Sequence, residues 1–146
     1  MIKTKTFELQ EYKPNDIDHK STIIYLFNDE ETRKYLGNVD DFGKNILSAK
    51  DGYSNIYIAF KDNEPIGFVS LYFLDSKFEV CYAILPKYRH QHLASILLGE
   101  YTEYIFNNTD IEDLYLYINK GNRNSILVAN NNDYIKTEGV EYKRSK

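Results

Sequence analysis

Apolar and polar positions alternate along three consecutive stretches in the middle of the chain, and this alternation predicts an antiparallel meander. Residues 55–61 place Ile56, Ile58 and Phe60 on one face. Asp62-Asn63-Glu64-Pro65 makes a turn. Residues 66–74 then carry Ile66, Phe68 and Tyr72 on one face, with Val69, Leu71 and Phe73 on the other. A strand that is apolar on both faces calls for helices on both sides of its sheet. Asp75-Ser76-Lys77 turns the chain again, into a third strand over 78–85 that ends at Pro86.

The flanking segments supply those helices. Residues 6–12 read as an opening strand. Asn15 or Asp16 can cap a helix carrying Ile17, Ile23, Ile24, Leu26 and Phe27. Asn28-Asp29-Glu30-Glu31 starts a second helix, with acidic groups at its positive end, that stops near Leu36-Gly37. After Pro86 the period lengthens: Leu93, Ile96, Leu97, Tyr101, Tyr104 and Ile105 fall at helical spacing over 92–106, with Glu100 and Glu103 outward. Residues 113–119 alternate Leu114, Leu116 and Ile118 as a strand, 122–131 support a short helix, and 134–143 support one or two final strands. The order β-α-α-β-β-β-α-β-α-β, with room for one strand more, predicts an α/β fold of the mixed-sheet kind with helices on both faces.

Composition narrows the class. The 146 residues fit one domain, 1–146, with no repeat or linker to divide it. Hydrophobic residues at 42% and charged residues at 27% describe a globular chain able to build a core. Cys81 is the only cysteine, which excludes an intramolecular disulfide and a four-cysteine metal site. The start MIKTKTFELQ has no secretory apolar stretch, and no run reaches membrane-spanning length, so a cytoplasmic location is expected. A formal charge of −4 argues against broad nucleic-acid binding. Positive charge gathers only at Lys87, Arg89, His90 and His92, and in Lys143-Arg144-Ser145-Lys146, which reads as a solvated terminus.

The chemistry concentrates in Tyr82-Ala83-Ile84-Leu85-Pro86-Lys87-Tyr88-Arg89-His90-Gln91-His92-Leu93-Ala94. A strand ends at a proline, a basic turn follows, and a helix begins at once. The free N–H groups of that helix start form a ready anion site, aided by its dipole. Ala94 and Ser95 are small enough to let a phosphate reach the backbone, and Arg89 and both histidines add positive potential. This is a candidate diphosphate cradle, although any strand–turn–helix junction offers a weaker version of it.

The spacing Arg89-x-x-His92-x-Ala94 resembles the coenzyme A pyrophosphate loop of the GNAT superfamily of N-acetyltransferases, (Arg/Gln)-x-x-Gly-x-(Gly/Ala). Glu79-Val80-Cys81-Tyr82-Ala83-Ile84-Leu85-Pro86 resembles the strand leading into that loop. Asn122-Arg123-Asn124-Ser125 matches the family's Asn-x-x-Ser helix start, and Asn132-Asp133-Tyr134 stands where Gly-Phe is usual. Asn28 to Gly37 looks like the N-terminal helix of the branch that acetylates ribosomal-protein N-termini. The resemblance implies a GNAT-like fold, with a central mixed sheet of six or seven strands and about four helices. It also implies transfer of an acetyl group from acetyl-CoA to a primary amine, either a small molecule or a protein N-terminus. No metal is implied. Dimers are frequent in the family, so a homodimer is an allowed state.

Carried over position by position, the resemblance assigns coenzyme binding to Ile84, Leu85, Arg89, His90, Gln91, His92, Leu93, Ala94, Ser95 and Asn122. Glu79, sharing a strand face with Cys81 and Ala83, is the first candidate for the base that amine attack requires. Its alternative is an acidic residue at a solvated strand start. For the acid, many relatives place a tyrosine four residues after the motif serine, where this chain has Ala129. Ser125 is then the nearest hydroxyl in the motif and Tyr134 a more distant one. Two further departures stand out: His92 replaces the loop's middle glycine, and Asp133 replaces the glycine before the aromatic. A non-catalytic acyl-CoA-binding or protein-interaction member of the same fold is the alternative these departures suggest. Cys81 reads as packing, the two loop histidines as too few for a metal site, and Asp29-Glu30-Glu31 with Asp40-Asp41 as a solvated acidic face that could also favour a cationic amine.

Overall fold

A computed structural model of the chain describes residues 1–36 and 53–146. Among them run β1 (Ile2–Lys3), β2 (Glu8–Tyr12), α1 (Ile17–Asn28), α2 (Glu30–Leu36), β3 (Tyr53–Lys61), β4 (Glu64–Leu74), β5 (Lys77–Ile84), a 3₁₀ turn (Pro86–Tyr88), α3 (Leu93–Asn108), β6 (Asp113–Tyr117), α4 (Arg123–Asn131), β7 (Ile135–Glu138) and β8 (Glu141–Ser145). Gly37 and Asp40-Asp41 lie outside the described residues.

The strands form one mixed sheet in the order β1-β2-β3-β4-β5-β6-β8-β7. Eight strands exceed the expected six or seven. The extra one is β1, whose two residues are too short to show any period. The meander β3-β4-β5 is antiparallel as expected, closed by two-residue turns at Asp62-Asn63 and Asp75-Ser76. All four turn residues have positive φ, between 51° and 64°, the twist that suits tight hairpins.

Both faces of the sheet are covered, and β4 is buried on each. Ile23, Leu26 and Phe27 of α1 pack with Ile56, Ile58, Phe60 and Phe68 on one side. On the other, Leu93, Leu97, Leu98, Tyr101 and Ile105 of α3 and Ala129 of α4 pack with Val69, Val80, Ile84, Leu114 and Leu116. Asp16 caps α1 by accepting from the His19 N–H at 3.1 Å. The His19 ring, 1% exposed, accepts from the Lys13 N–H at 3.0 Å through Nδ1, so Nε2 carries the proton and donates to Gln10 Oε1 at 2.8 Å. Burial lowers its pKa and keeps it neutral.

Two polar stretches differ from their sequence reading. Glu100 does not face outward: it accepts from Thr4 Oγ1, Thr6 N–H and Thr6 Oγ1 at 2.6–2.7 Å, fastening the β1–β2 connection to α3. Residues 143–145 are not a solvated terminus but part of β8. Arg144 there bonds Glu103 of α3 and the Asn132 carbonyl, so long-range pairing holds a segment of polar composition in a strand.

Candidate active site

The strands β5 and β6 run parallel and pair at a single position, Glu79 opposite Tyr115. Beyond it they part. A parallel pair that separates leaves backbone groups unpaired along both inner edges, an unfavourable arrangement unless something else bonds there. A cavity of about 420 Å³ lies between α2, the end of β5, the loop after it, the start of α3, and α4.

Two close backbone approaches set the shape of this cavity. At Gly67 of β4, a Cβ would stand 2.1 Å from the Ala83 carbonyl oxygen and 3.0 Å from Ile84 Cα. Leu85 donates its N–H to the Ile66 carbonyl at 2.8 Å, clamping the same stretch. On the far wall, Asn132 Nδ2 donates to the Ser95 carbonyl, Ser95 Oγ and the Val128 carbonyl at 2.9–3.2 Å, tying the first turn of α3 to α4. Nothing in the local pattern marks Asn132 for this role, because its side chain bonds two atoms of Ser95, far along the chain, and a backbone carbonyl.

The start of α3 carries the free backbone donors expected there. The first intrahelical bond runs from the Ile96 N–H to the His92 carbonyl, and no side chain caps the helix. The N–H groups of Leu93, Ala94 and Ser95 therefore have no acceptor among the described residues. All three residues line the cavity, with Ile84, Arg89, His90, His92, Asn122 and Ser125. Leu85 and Gln91 do not line it. Asn122 caps α4, its Oδ1 accepting from the Ser125 N–H at 3.2 Å.

Arg89 departs from its expected use. Its Nε donates to the Ile84 carbonyl at 3.0 Å, one terminal nitrogen to Glu31 at 2.8 Å, and the other to Asp29 at 2.8 Å and Thr32 Oγ1 at 3.1 Å. A guanidinium so engaged is not a free phosphate cation; it latches the loop to the α1–α2 junction. Burial works to raise the Asp29 carboxyl, but the bonds from Arg89 and Thr32 outweigh it and hold the pKa below its ordinary value. The acidic cluster is thus in part a structural partner rather than a solvated face.

Among the catalytic candidates, Ser125 faces the cavity, while Glu79 and Tyr134 are not part of its lining. Glu79 stands at the fork itself. Burial raises its pKa, and a weak hydrogen bond from Cys81 Sγ at 3.4 Å pulls the other way. Beside it Lys77 bonds Glu141 at 2.6 Å, and Glu141 also accepts from the Tyr117 hydroxyl at 3.1 Å, spanning β5, β6 and β8. Tyr134 is 1% exposed and shares a buried hydrogen bond of 2.7 Å with Thr102. Cys81 packs with the α1-side core, and burial pushes its thiol pKa up, as inert packing requires.

The acetyltransferase (GNAT) family profile matches residues 14–130, most of the chain. The chain belongs to this family. Solved acetyltransferases share its fold. The aminoglycoside acetyltransferase AAC(6')-Ib in complex with coenzyme A superposes with a TM-score of 0.79 at 14% identity, covering 97% of this chain and 95% of the other. A GNAT-family acetyltransferase from Bacillus anthracis gives 0.78 at 16%, with 97% and 95% covered. The Salmonella typhimurium acetyltransferase that modifies the N-terminal serine of ribosomal protein L7/L12 gives 0.72 at 17%, with 98% and 96% covered. No curated protein sequence matches the chain.

Set against the family's loop pattern, the two glycine replacements in this chain keep the backbone that glycine would supply. His92 has φ 61° and ψ 13°, and Asp133 has φ 62°, both left-handed. The His92 side chain is exposed, so it does not plug the loop. Its cost is conformational: a non-glycine residue in this region is strained by about 1–2 kcal/mol, partly offset by the greater chain entropy of an unfolded glycine. His92→Gly should therefore raise the unfolding free energy by about 0.5–1 kcal/mol, read from the urea midpoint. An unchanged or lower midpoint would contradict the strain.

Proposed function

We propose that this acetyltransferase moves an acetyl group from acetyl-coenzyme A directly onto a primary amine. The observation that carries the reading is the trio of N–H groups at Leu93, Ala94 and Ser95, unpaired among the described residues and set on the wall of the cavity at the end of β5. Coenzyme A fits these groups chemically. Its diphosphate would take the helix N–H donors, and its pantetheine arm would lie along the end of β5 towards the Asn122 side. When bound, it supplies an activated thioester. His90 and His92 would border the phosphates, and Arg89 would hold the loop in shape rather than carry charge to them.

Glu79 acts as the base in this proposal. Its raised pKa improves its match to an amine proton at neutral pH, and its position where the strands part sets it beside the open edge. The known neighbours include enzymes for an aminoglycoside and for a ribosomal-protein N-terminal serine, so both acceptor types belong in the first screen. Thiol release from acetyl-coenzyme A is followed with aminoglycosides, polyamines and peptides bearing free N-termini. With the best acceptor, Glu79→Gln should lower kcat by about a hundredfold or more. Wild-type kcat should fall as pH drops through the Glu79 pKa, because a base must be unprotonated. Failure to acetylate any amine, or full kcat in Glu79→Gln, would overturn the transfer or the base respectively.

A further inference from the structure

Tyr82 lies on β5 opposite Val69 of β4, with its ring among the residues packed against the α3-side core. It also lines the cavity, yet its hydroxyl is closed off from solvent and has no hydrogen bond of good geometry among the described residues. Such an orphaned hydroxyl costs stability that phenylalanine would not lose. Burial pushes its pKa up to about 12, with the Ser125 side chain pulling it back. The phenol thus keeps its proton at neutral pH and can only donate it. Ser125, its polar neighbour on α4, has its backbone N–H fixed by Asn122 and presents its hydroxyl to the Tyr82 phenol. Two hydroxyls therefore face each other at the cavity wall, the Tyr82 one closed off from solvent. The other tyrosine near α4, Tyr134, is already committed to Thr102.

We propose that Tyr82 and Ser125 form a two-hydroxyl relay that protonates the departing coenzyme A sulfur, a role that rests on the acetyl transfer proposed above. The amine nitrogen forms a bond to the thioester carbonyl carbon and gives a proton to Glu79. The C–S bond breaks, and the sulfur keeps the electron pair and takes the Ser125 hydroxyl proton. Ser125 is restored by the Tyr82 proton. The phenolate recovers a proton back through Ser125 from the water that fills the cavity once product leaves, and Glu79 releases its own proton to that water. No redox partner is required. Ser125 touches the leaving group, and Tyr82 is a positioning residue that acts through it. The movement needed is a change of rotamer at Ser125, a short side chain with three staggered wells.

The test uses the full chain with Tyr82→Phe, Ser125→Ala, Ser125→Thr and the double variant Tyr82→Phe/Ser125→Ala. Acetyl-coenzyme A affinity, by calorimetry, should be retained in all four, and Tyr82→Phe should unfold at or above the wild-type midpoint. With the best acceptor from the screen, kcat should fall about tenfold or more in Tyr82→Phe and in Ser125→Ala, with KM for acetyl-coenzyme A unchanged. Ser125→Thr should recover most of it, and the double variant should lose little beyond the worse single. A second readout needs no acceptor: the thiolate absorbance of bound coenzyme A should titrate at higher pH in Tyr82→Phe and Ser125→Ala than in wild type, because a donor to the thiolate has gone. Wild-type kcat and an unmoved thiol titration in Tyr82→Phe would overturn the relay while leaving acetyl transfer standing. A wild-type protein that fails to bind coenzyme A would overturn both.

Discussion

Gly67→Ala is expected to lower the unfolding free energy by at least about 3 kcal/mol, the upper end for a forced overpacking. The reason is the identity of what the new methyl group meets. Its nearest atoms are the Ala83 carbonyl oxygen at 2.1 Å and Ile84 Cα at 3.0 Å, both backbone, so no side chain can turn aside. Either β4 and β5 separate or the register from Gly67↔Ile84 onward is lost. A domain of this kind has only about 5–15 kcal/mol to lose, so the urea midpoint should fall steeply. Because Ala83 and Ile84 also wall the cavity, the fraction that stays folded should bind coenzyme A poorly. A midpoint within about 1 kcal/mol of wild type would show that the two strands can part here without cost.

Arg89→Ala should cost about 2–3 kcal/mol of stability. The guanidinium is 21% exposed and Asp29 17%, so that pair is shielded; Glu31, at 49%, adds little through screening water. Removing Arg89 leaves the Asp29 carboxylate short of its charged partner and frees the loop from α1 and α2. Asp29→Ala together with Arg89→Ala should cost less than the sum of the single changes. The pH dependence follows from the depressed Asp29 pKa: its contribution is complete above the ordinary value of 3.8 and is lost as pH falls through the lower folded-state value. Denaturation curves from pH 7 to pH 2 should therefore converge for wild type and Arg89→Ala at the acid end. Had Arg89 been a free phosphate cation, its loss would instead weaken coenzyme A binding in a salt-dependent way and leave the midpoint in place.

The contrast between these two residues shows what could be read from the chain alone. Local signals carried far. Asp16 before an apolar helical period, Asn122 three residues before Ser125, and Pro86 between an alternating stretch and a helical one each fixed an element through chemistry within a few residues. The cradle at Leu93–Ser95 belongs to this class, because a helix start presents free N–H groups whatever surrounds it. What stayed hidden depends on partners far along the chain. Arg89 looked free because Asp29 and Glu31 lie about sixty residues upstream. Tyr82 read as one more strand residue, since alternation reports a face and not whether a hydroxyl finds a partner. Tyr134 looked available until Thr102 claimed it, and the Lys77–Glu141 bridge needed the sheet order to be known. Short β1 and the last residues of β8 escape such a reading for a related reason: their stability comes from neighbours, not from any period of their own.

The central claim is that the open start of α3 holds the coenzyme A diphosphate, and calorimetric titration of acetyl-coenzyme A into wild type and Ala94→Asp tests it most directly. An aspartate in the first helical turn suits the helix dipole and should leave the fold as stable as before, or slightly more so. The same carboxylate stands among the N–H groups of Leu93, Ala94 and Ser95, where it would compete with a diphosphate and repel it. One-site binding to wild type that weakens more than tenfold, about 1.4 kcal/mol, in a fully folded Ala94→Asp is the predicted result. Equal affinity in the two proteins, or no binding to wild type, would contradict the cradle and the transfer reaction built on it.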